Sequence, residues 1–192
     1  MLSYWAYILI GSNNTGKTSF QKHLIAELCG SERKNLYSNT IHPIVPPHLP
    51  PGVAEISVMN SSHQEQKKYK NVIDFFQDEK GFKPAEICIL SSRAEVPAAK
   101  HMSDMITELR YRAYNISAVF FSNKCREYAK EISLLDWDER LWLDNPELKS
   151  KSKTEIDAQI EQLAKGFAQF LIARARLYNG SASDDIASGE SG

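Results

Sequence analysis

The sequence predicts an α/β fold, a three-layer sandwich with a mainly parallel sheet and helices on both faces. Three observations carry this reading. Short apolar runs alternate along the chain with segments of helical periodicity, the pattern of βαβ units. The first run, Tyr4 to Ile10, is apolar throughout, as a strand buried on both faces of a parallel sheet must be. It passes through a glycine-bounded loop straight into a helical pattern, and the alternation of strands with helices argues for right-handed βαβ units.

The bulk properties fit one soluble domain. The chain has 192 residues, 42% of them hydrophobic, enough for a substantial core. Residues 1–178 read as a single domain, and 179–192 as a disordered tail of Gly, Ser, Ala and Asp with one larger aliphatic residue, Ile186. The formal net charge is −1, which excludes a global field drawing the chain onto nucleic acid or an anionic membrane. No basic–aromatic stripe suggests a nucleic-acid partner. The cysteines Cys29, Cys88 and Cys125 are odd in number and form no CxxC pair, which points to a reducing compartment. No apolar run approaches membrane length, and Met1 to Trp5 lacks the basic region of a signal peptide. A cytoplasmic protein is expected.

Taken in order, the elements are as follows. Phe20, Leu24, Ile25 and Leu28 share a helix face, with Gly30 placed as its C-cap. Leu36-Tyr37 suggests a short strand. Residues 42–52 hold five prolines and read as a stiff loop, neither helix nor strand, suited to lie over the surface or to act as a lid or docking segment. His42 and His48 in this loop lack a third metal ligand at sensible spacing. Val53 to Met59 reads as a strand ending in the polar cluster Asn60 to Glu65, and a helical segment then turns Tyr69, Val72, Ile73 and Phe76 to one face, with Lys67, Lys68 and Lys70 solvated. Glu86 to Leu90 is the next strand. A helix over 99–113 follows, with Met102, Met105, Ile106 and Leu109 inward, and then a strand from Ile116 to Phe121. Leu134, Trp137 and Leu141 recur at helical spacing, up to the break at Asn145-Pro146. After the basic linker 149–153, Thr154 caps a long amphipathic helix whose stripe is Ile156, Ile160, Leu163, Phe167, Phe170 and Leu171. Its stripe is short for a coiled coil and favours packing on the sheet.

The chemistry-bearing stretch is Gly11-Ser12-Asn13-Asn14-Thr15-Gly16-Lys17-Thr18, a G-x-x-x-x-G-K-T sequence between strand and helix. Its glycines let successive backbone N–H groups turn inward around an anion, and the helix N-terminus adds partial positive charge. The motif resembles the Walker A loop of the P-loop NTPases. The resemblance covers about the first thirty residues and implies a P-loop NTPase-like sandwich that binds ATP or another nucleoside triphosphate with Mg²⁺. It implies a binding set of Gly11, Ser12, Asn13, Asn14, Thr15, Gly16, Lys17, Thr18 and Ser19, with Lys17 on the β- and γ-phosphates and Thr18 on the metal.

The catalytic half departs from that pattern. A Walker B strand ends in Asp, whereas the candidate strands here end in Asn60 and in Ser91-Ser92. Three resolutions are open: a hydroxyl of Ser91 or Ser92 beside the metal's water shell; Glu65 or Glu95 swinging in; or slow turnover. Arg93 follows a strand end, where ligands of open α/β sheets sit, and suits a phosphate or substrate anion; pairing with Glu95 is the plainer reading. Asn123 stands where many P-loop ATPases carry a polar sensor of the γ-phosphate. Asn123-Lys124-Cys125-Arg126 is similar to the guanine-reading N-K-x-D of GTPases, but Arg126 replaces the required acceptor with a donor, which favours ATP over GTP. Arg174 and Arg176 would serve either as an arginine finger or simply as partners of a helix dipole.

The expected function is nucleotide binding by a slow NTPase or nucleotide-dependent switch that works with a protein partner, reached through the proline loop or the tryptophan segment. The alternative is a small kinase, with Asn60 to Glu65 and Arg93 holding the acceptor. A third class is an assembly subunit with a structural nucleotide.

Overall fold

The computed structural model describes residues 4–30, 36, 39–47, 53–60, 69–94, 98–123, 126–146 and 152–184. Its strands are β1 (Trp5–Ile10), β2 (Thr40–Pro43), β3 (Glu55–Val58), β4 (Ile87–Ser92), β5 (Asn115–Phe121) and β6 (Glu139–Leu143). Its helices are α1 (Lys17–Cys29), α2 (Val72–Gln77), α3 (Ala98–Tyr111), α4 (Arg126–Ser133) and α5 (Lys153–Asp184). The strands form one sheet in the order β2-β3-β4-β1-β5-β6, with every pairing parallel except the edge pair β2–β3.

β1 lies at the centre, Leu9 in register with Ser91 of β4 and Val119 of β5. Its side chains alternate between two cores, as the pleat requires. Ala6, Ile8 and Ile10 join Phe75, Met102, Met105, Leu109 and Ile132 on the α2–α3–α4 face. Tyr7 and Leu9 join Phe20, Leu24, Ile160, Phe167 and Leu171 on the α1–α5 face. The sheet is therefore covered on both faces, which is why β1 and β5 read as near-continuous apolar runs. Burying each such Leu or Phe contributes about 1.5–3 kcal/mol. Met102, Met105, Ile106 and Leu109 are all buried, as their spacing predicts.

Several elements differ from the sequence reading. His42 and Pro43 belong to strand β2, not to a loop. Pro43 is tolerated because it ends an edge strand, where a missing N–H leaves no ladder bond unmade. Leu36 is buried but belongs to no strand. Tyr37, His48 and the end of the proline stretch lie outside the described residues. Ile73 is 46% exposed and Phe75 takes the inward position in α2, a helix of only six residues in which one turn decides the face. The segment around Leu141 is strand β6 rather than helix. Glu139, Leu141 and Leu143 are half-buried on one side, and Arg140 and Trp142 are exposed on the other. Trp137 is core, its indole N–H donating to the Ile132 carbonyl at 2.7 Å, whereas Trp142 is 56% exposed and stacks on Phe120.

The cap of α5 is Ser152, not Thr154. Ser152 and Glu155 form a reciprocal capping box, with Ser152 N–H donating to Glu155 Oε2 at 2.7 Å and Glu155 N–H to Ser152 Oγ at 3.3 Å. α5 packs against α1 and the sheet as a core helix, and it continues to Asp184, past the expected boundary at 178. Residues 185–192 lie outside the described residues. Among the described residues no helix is long and apolar enough to cross a membrane.

Candidate functional site

The loop between β1 and α1 leaves the sheet at the carboxyl end of its central strand, the position where open α/β sheets bind ligands. Asn14 (φ 61°) and Gly16 (φ 93°) take left-handed backbone conformations that fold the loop back over the start of α1. Gly16 caps the helix with no side-chain hydrogen bond, and no acidic residue occupies its first turn. The dipole and N-terminal N–H groups of α1 thus face outward uncancelled.

The Lys17 ammonium folds over the loop and donates to the carbonyls of Gly11 (2.5 Å) and Ser12 (2.8 Å) and to Thr15 Oγ1 (3.3 Å). Thr15 is buried, and its hydroxyl donates to the Ser12 carbonyl at 2.9 Å. The close fit explains Gly11, because a Cβ there would lie 2.7 Å from Thr15 Oγ1. Thr18 is exposed, with its hydroxyl 3.5 Å from the Asn60 carbonyl at the end of β3.

A cavity of about 720 Å³ opens over this loop. It brings together most of the sequence-derived set: Asn13 through Ser19, then Ser91, Arg93 and Asn123 at the ends of the neighbouring strands. Gly11 and Ser12 are not on its wall and form the loop's inner turn. Glu65 and Glu95 lie outside the described residues. The charged residues on the described wall are Lys17, Arg93 and Lys153 against Asp157, and Asp157 Oδ1 already sits 3.2 Å from His23 Nε2. The wall is therefore suited to an anion.

Sequence reasoning missed the polar groups that hold this arrangement. Gln21, fully buried in α1, donates to Ser91 Oγ and to the Met59 carbonyl, tying α1 to the ends of β3 and β4. Ser92, which the sequence reading pairs with Ser91 as a candidate beside the metal, is fully buried on the cavity wall, and its hydroxyl has no hydrogen-bond partner among the described residues. Asn145 donates to the Thr15 carbonyl at 2.9 Å and accepts from Gln159 at 2.6 Å. The signal for Asn145 was its place before Pro146, which read only as a break. Gln21 and Gln159 read as the polar faces of helices.

The arginines of α5 lie elsewhere. Arg174 pairs with Glu139 through both of its terminal nitrogens, donates to the Tyr7 hydroxyl and lies 4.1 Å above the Trp5 ring. Trp5 opens β1 and the loop follows its other end, about 16 Å away at strand rise. Arg174 is thus not an arginine finger, because α5 runs away from the cavity. Arg176 is exposed.

Compared with known proteins, the chain matches no family model and no curated protein.

Proposed function

We propose that the protein binds a nucleoside triphosphate, ATP before GTP, on the loop from Gly11 to Ser19, and acts as a slow NTPase or nucleotide-dependent switch toward a protein partner. The observation that carries this reading is the loop itself: a glycine-bounded turn at the end of the central strand, running into a helix whose N-terminus has no side-chain cap, with an ammonium group drawn onto its carbonyls. An anion there would take over Lys17 from those carbonyls and would meet the backbone donors at the start of α1. A mostly parallel sheet with helices on both faces supports this reading, and the cavity has the size of a small-molecule site.

The donor set bears on the metal. Among the described residues no cluster of three or more His, Cys, Asp or Glu side chains could hold an ion. Exposed Thr18 and the serines at the end of β4 fit a Mg²⁺ carried by the nucleotide's own phosphates, with Thr18 as the protein ligand and Ser91 near its waters. Bound so, the metal would neutralise charge on the phosphates. Slow turnover follows from these neutral groups standing where a carboxylate would organise the metal more strongly. Arg93 on the same wall supports a second reading, phosphoryl transfer to a small acceptor.

Titration with a fluorescent ATP analogue in Mg²⁺ tests the proposal. Lys17→Ala should weaken binding at least about tenfold, since it removes a charge-assisted contact worth about 1.5–3 kcal/mol. No saturable binding of ATP or GTP by the wild type would refute it. Stimulation of ATP consumption by a small acceptor rather than by a protein would select the kinase reading.

A further inference from the structure

The turn after β6 reaches the loop from the far side of the site. Asn145 is 3% exposed although its residue type is usually solvated. Three of its polar groups are engaged: the main-chain N–H donates to Ser122 Oγ at 2.8 Å, the side-chain amide donates to the Thr15 carbonyl at 2.9 Å, and the side-chain oxygen accepts from Gln159 at 2.6 Å. Asn123 adds a longer contact to the same Thr15 carbonyl, at 3.5 Å. Ile160, one residue beyond Gln159, seals the turn, since a Cβ on Gly16 would lie 2.6 Å from its Cδ1.

In a trans peptide the carbonyl of one residue and the N–H of the next point in opposite directions. With the Thr15 carbonyl held toward Asn145, the Gly16 N–H is turned away from Asn145. We infer that Asn145 is a positioning residue, which with Gln159 orients the Gly16 N–H for phosphate and couples occupation of the loop to the first turns of α5. The inference rests on the nucleotide-binding reading above. It makes α5 the output element: an anion that pulls on the Gly16 N–H pulls on the Thr15 carbonyl, and through Asn145 and Gln159 on the helix that starts beside them.

The experiment pairs ATP-analogue affinity with hydrogen exchange of the full chain, with and without Mg²⁺ and a non-hydrolysable ATP analogue. In the wild type the nucleotide should slow exchange both in the loop and at residues 156–160. Asn145→Ala should weaken binding about fivefold or more, the effect of losing a hydrogen bond to a buried carbonyl, and should abolish the slowing at 156–160 while retaining it in the loop. Gln159→Ala, a milder change should Asn145→Ala fail to fold, should likewise uncouple α5 with a smaller loss of affinity. A merely structural role would lower the melting temperature and leave the α5 response to nucleotide intact, which would overturn the inference. Wild-type affinity and wild-type protection in Gln159→Ala would also overturn it. A wild-type protein that binds no triphosphate would instead refute the reading on which the inference rests.

Discussion

The side-chain amide of Gln21 lies 3.1 Å from Ser91 Oγ, so the first turns of α1 are joined to the end of β4 directly beneath the loop. The same amide reaches the Met59 carbonyl at 3.0 Å. Because Gln21 occupies one lone pair of Ser91, the serine proton is directed elsewhere. Replacing Gln21 by Met should therefore lower stability by about 1–3 kcal/mol, since two buried acceptors lose their donor. In urea titrations, Ser91→Ala added to Gln21→Met should cost less than Ser91→Ala alone, with a coupling of at least about 0.5 kcal/mol. Strict additivity would show that the contact is energetically idle.

Arg93 stands on the cavity wall just beyond β4. Arg93→Ala should reduce triphosphate affinity or turnover several-fold while moving the melting temperature little, because a half-buried guanidinium facing a cavity contributes more to a bound anion than to the fold. Normal binding and turnover in this variant would assign Arg93 to the surface.

Arg174 should behave in the opposite way. Its ion pair with Glu139, supported by Ser117, the Tyr7 hydroxyl and the Trp5 ring, is mostly withdrawn from solvent at 17% and 25% side-chain exposure. Arg174→Ala leaves a carboxylate half-buried and unpaired and should cost about 2–3 kcal/mol in denaturant unfolding. Triphosphate affinity measured well below the melting temperature should stay unchanged, since the pair sits at the far end of β1.

Cys88 and Tyr114 set an alkaline limit. Burial pushes the Cys88 thiol above its ordinary 9.0, outweighing hydrogen bonds from Ser57 and Tyr114 that pull it down. Burial, and then the neighbouring Cys88, push the Tyr114 phenol well above its ordinary 10.0. Both groups keep their protons in the folded chain at pH values where the unfolded chain releases them. The stability they contribute is therefore complete below about pH 8 and declines as pH rises further. Urea midpoints should fall between pH 8 and 10.5, and Cys88→Ala with Tyr114→Phe should flatten that fall. An equal slope in the double variant would place the alkaline sensitivity elsewhere.

The parts of the fold written in local pattern were legible. Ile8 and Val119, in strands buried on both faces, declare themselves by unbroken apolarity, and Met102 to Leu109 by helical spacing. β6 was not legible, because Leu134, Trp137 and Leu141 fall at helical intervals by accident, and five residues of alternation with Arg140 and Trp142 outward give too short a signal. β2 was masked by Pro43, whose strand position is allowed only because it lies at an edge, a fact of topology. For the site, Gly11 to Thr18 was legible because the chemistry is local. Asn145 was not, since its contact with Thr15 spans 130 residues and exists only once β6 has been laid beside β5. Gln21 stayed hidden for a related reason: its partners at the ends of β3 and β4 are set by strand order, not by spacing along α1.

The clasp between Thr15, Asn145 and Ile160 also has a consequence for biosynthesis. The loop is synthesised well before the groups that shape it, because Asn145 follows Thr15 by 130 residues. A nascent chain of a hundred residues carries all eight residues from Gly11 to Thr18 and lacks both the strand and the helix that hold the Thr15 carbonyl outward. The loop therefore takes its final geometry only once β6 and α5 have been made and α5 has docked on α1. A chain cut before β6 would retain the sequence from Gly11 to Thr18 without its geometry.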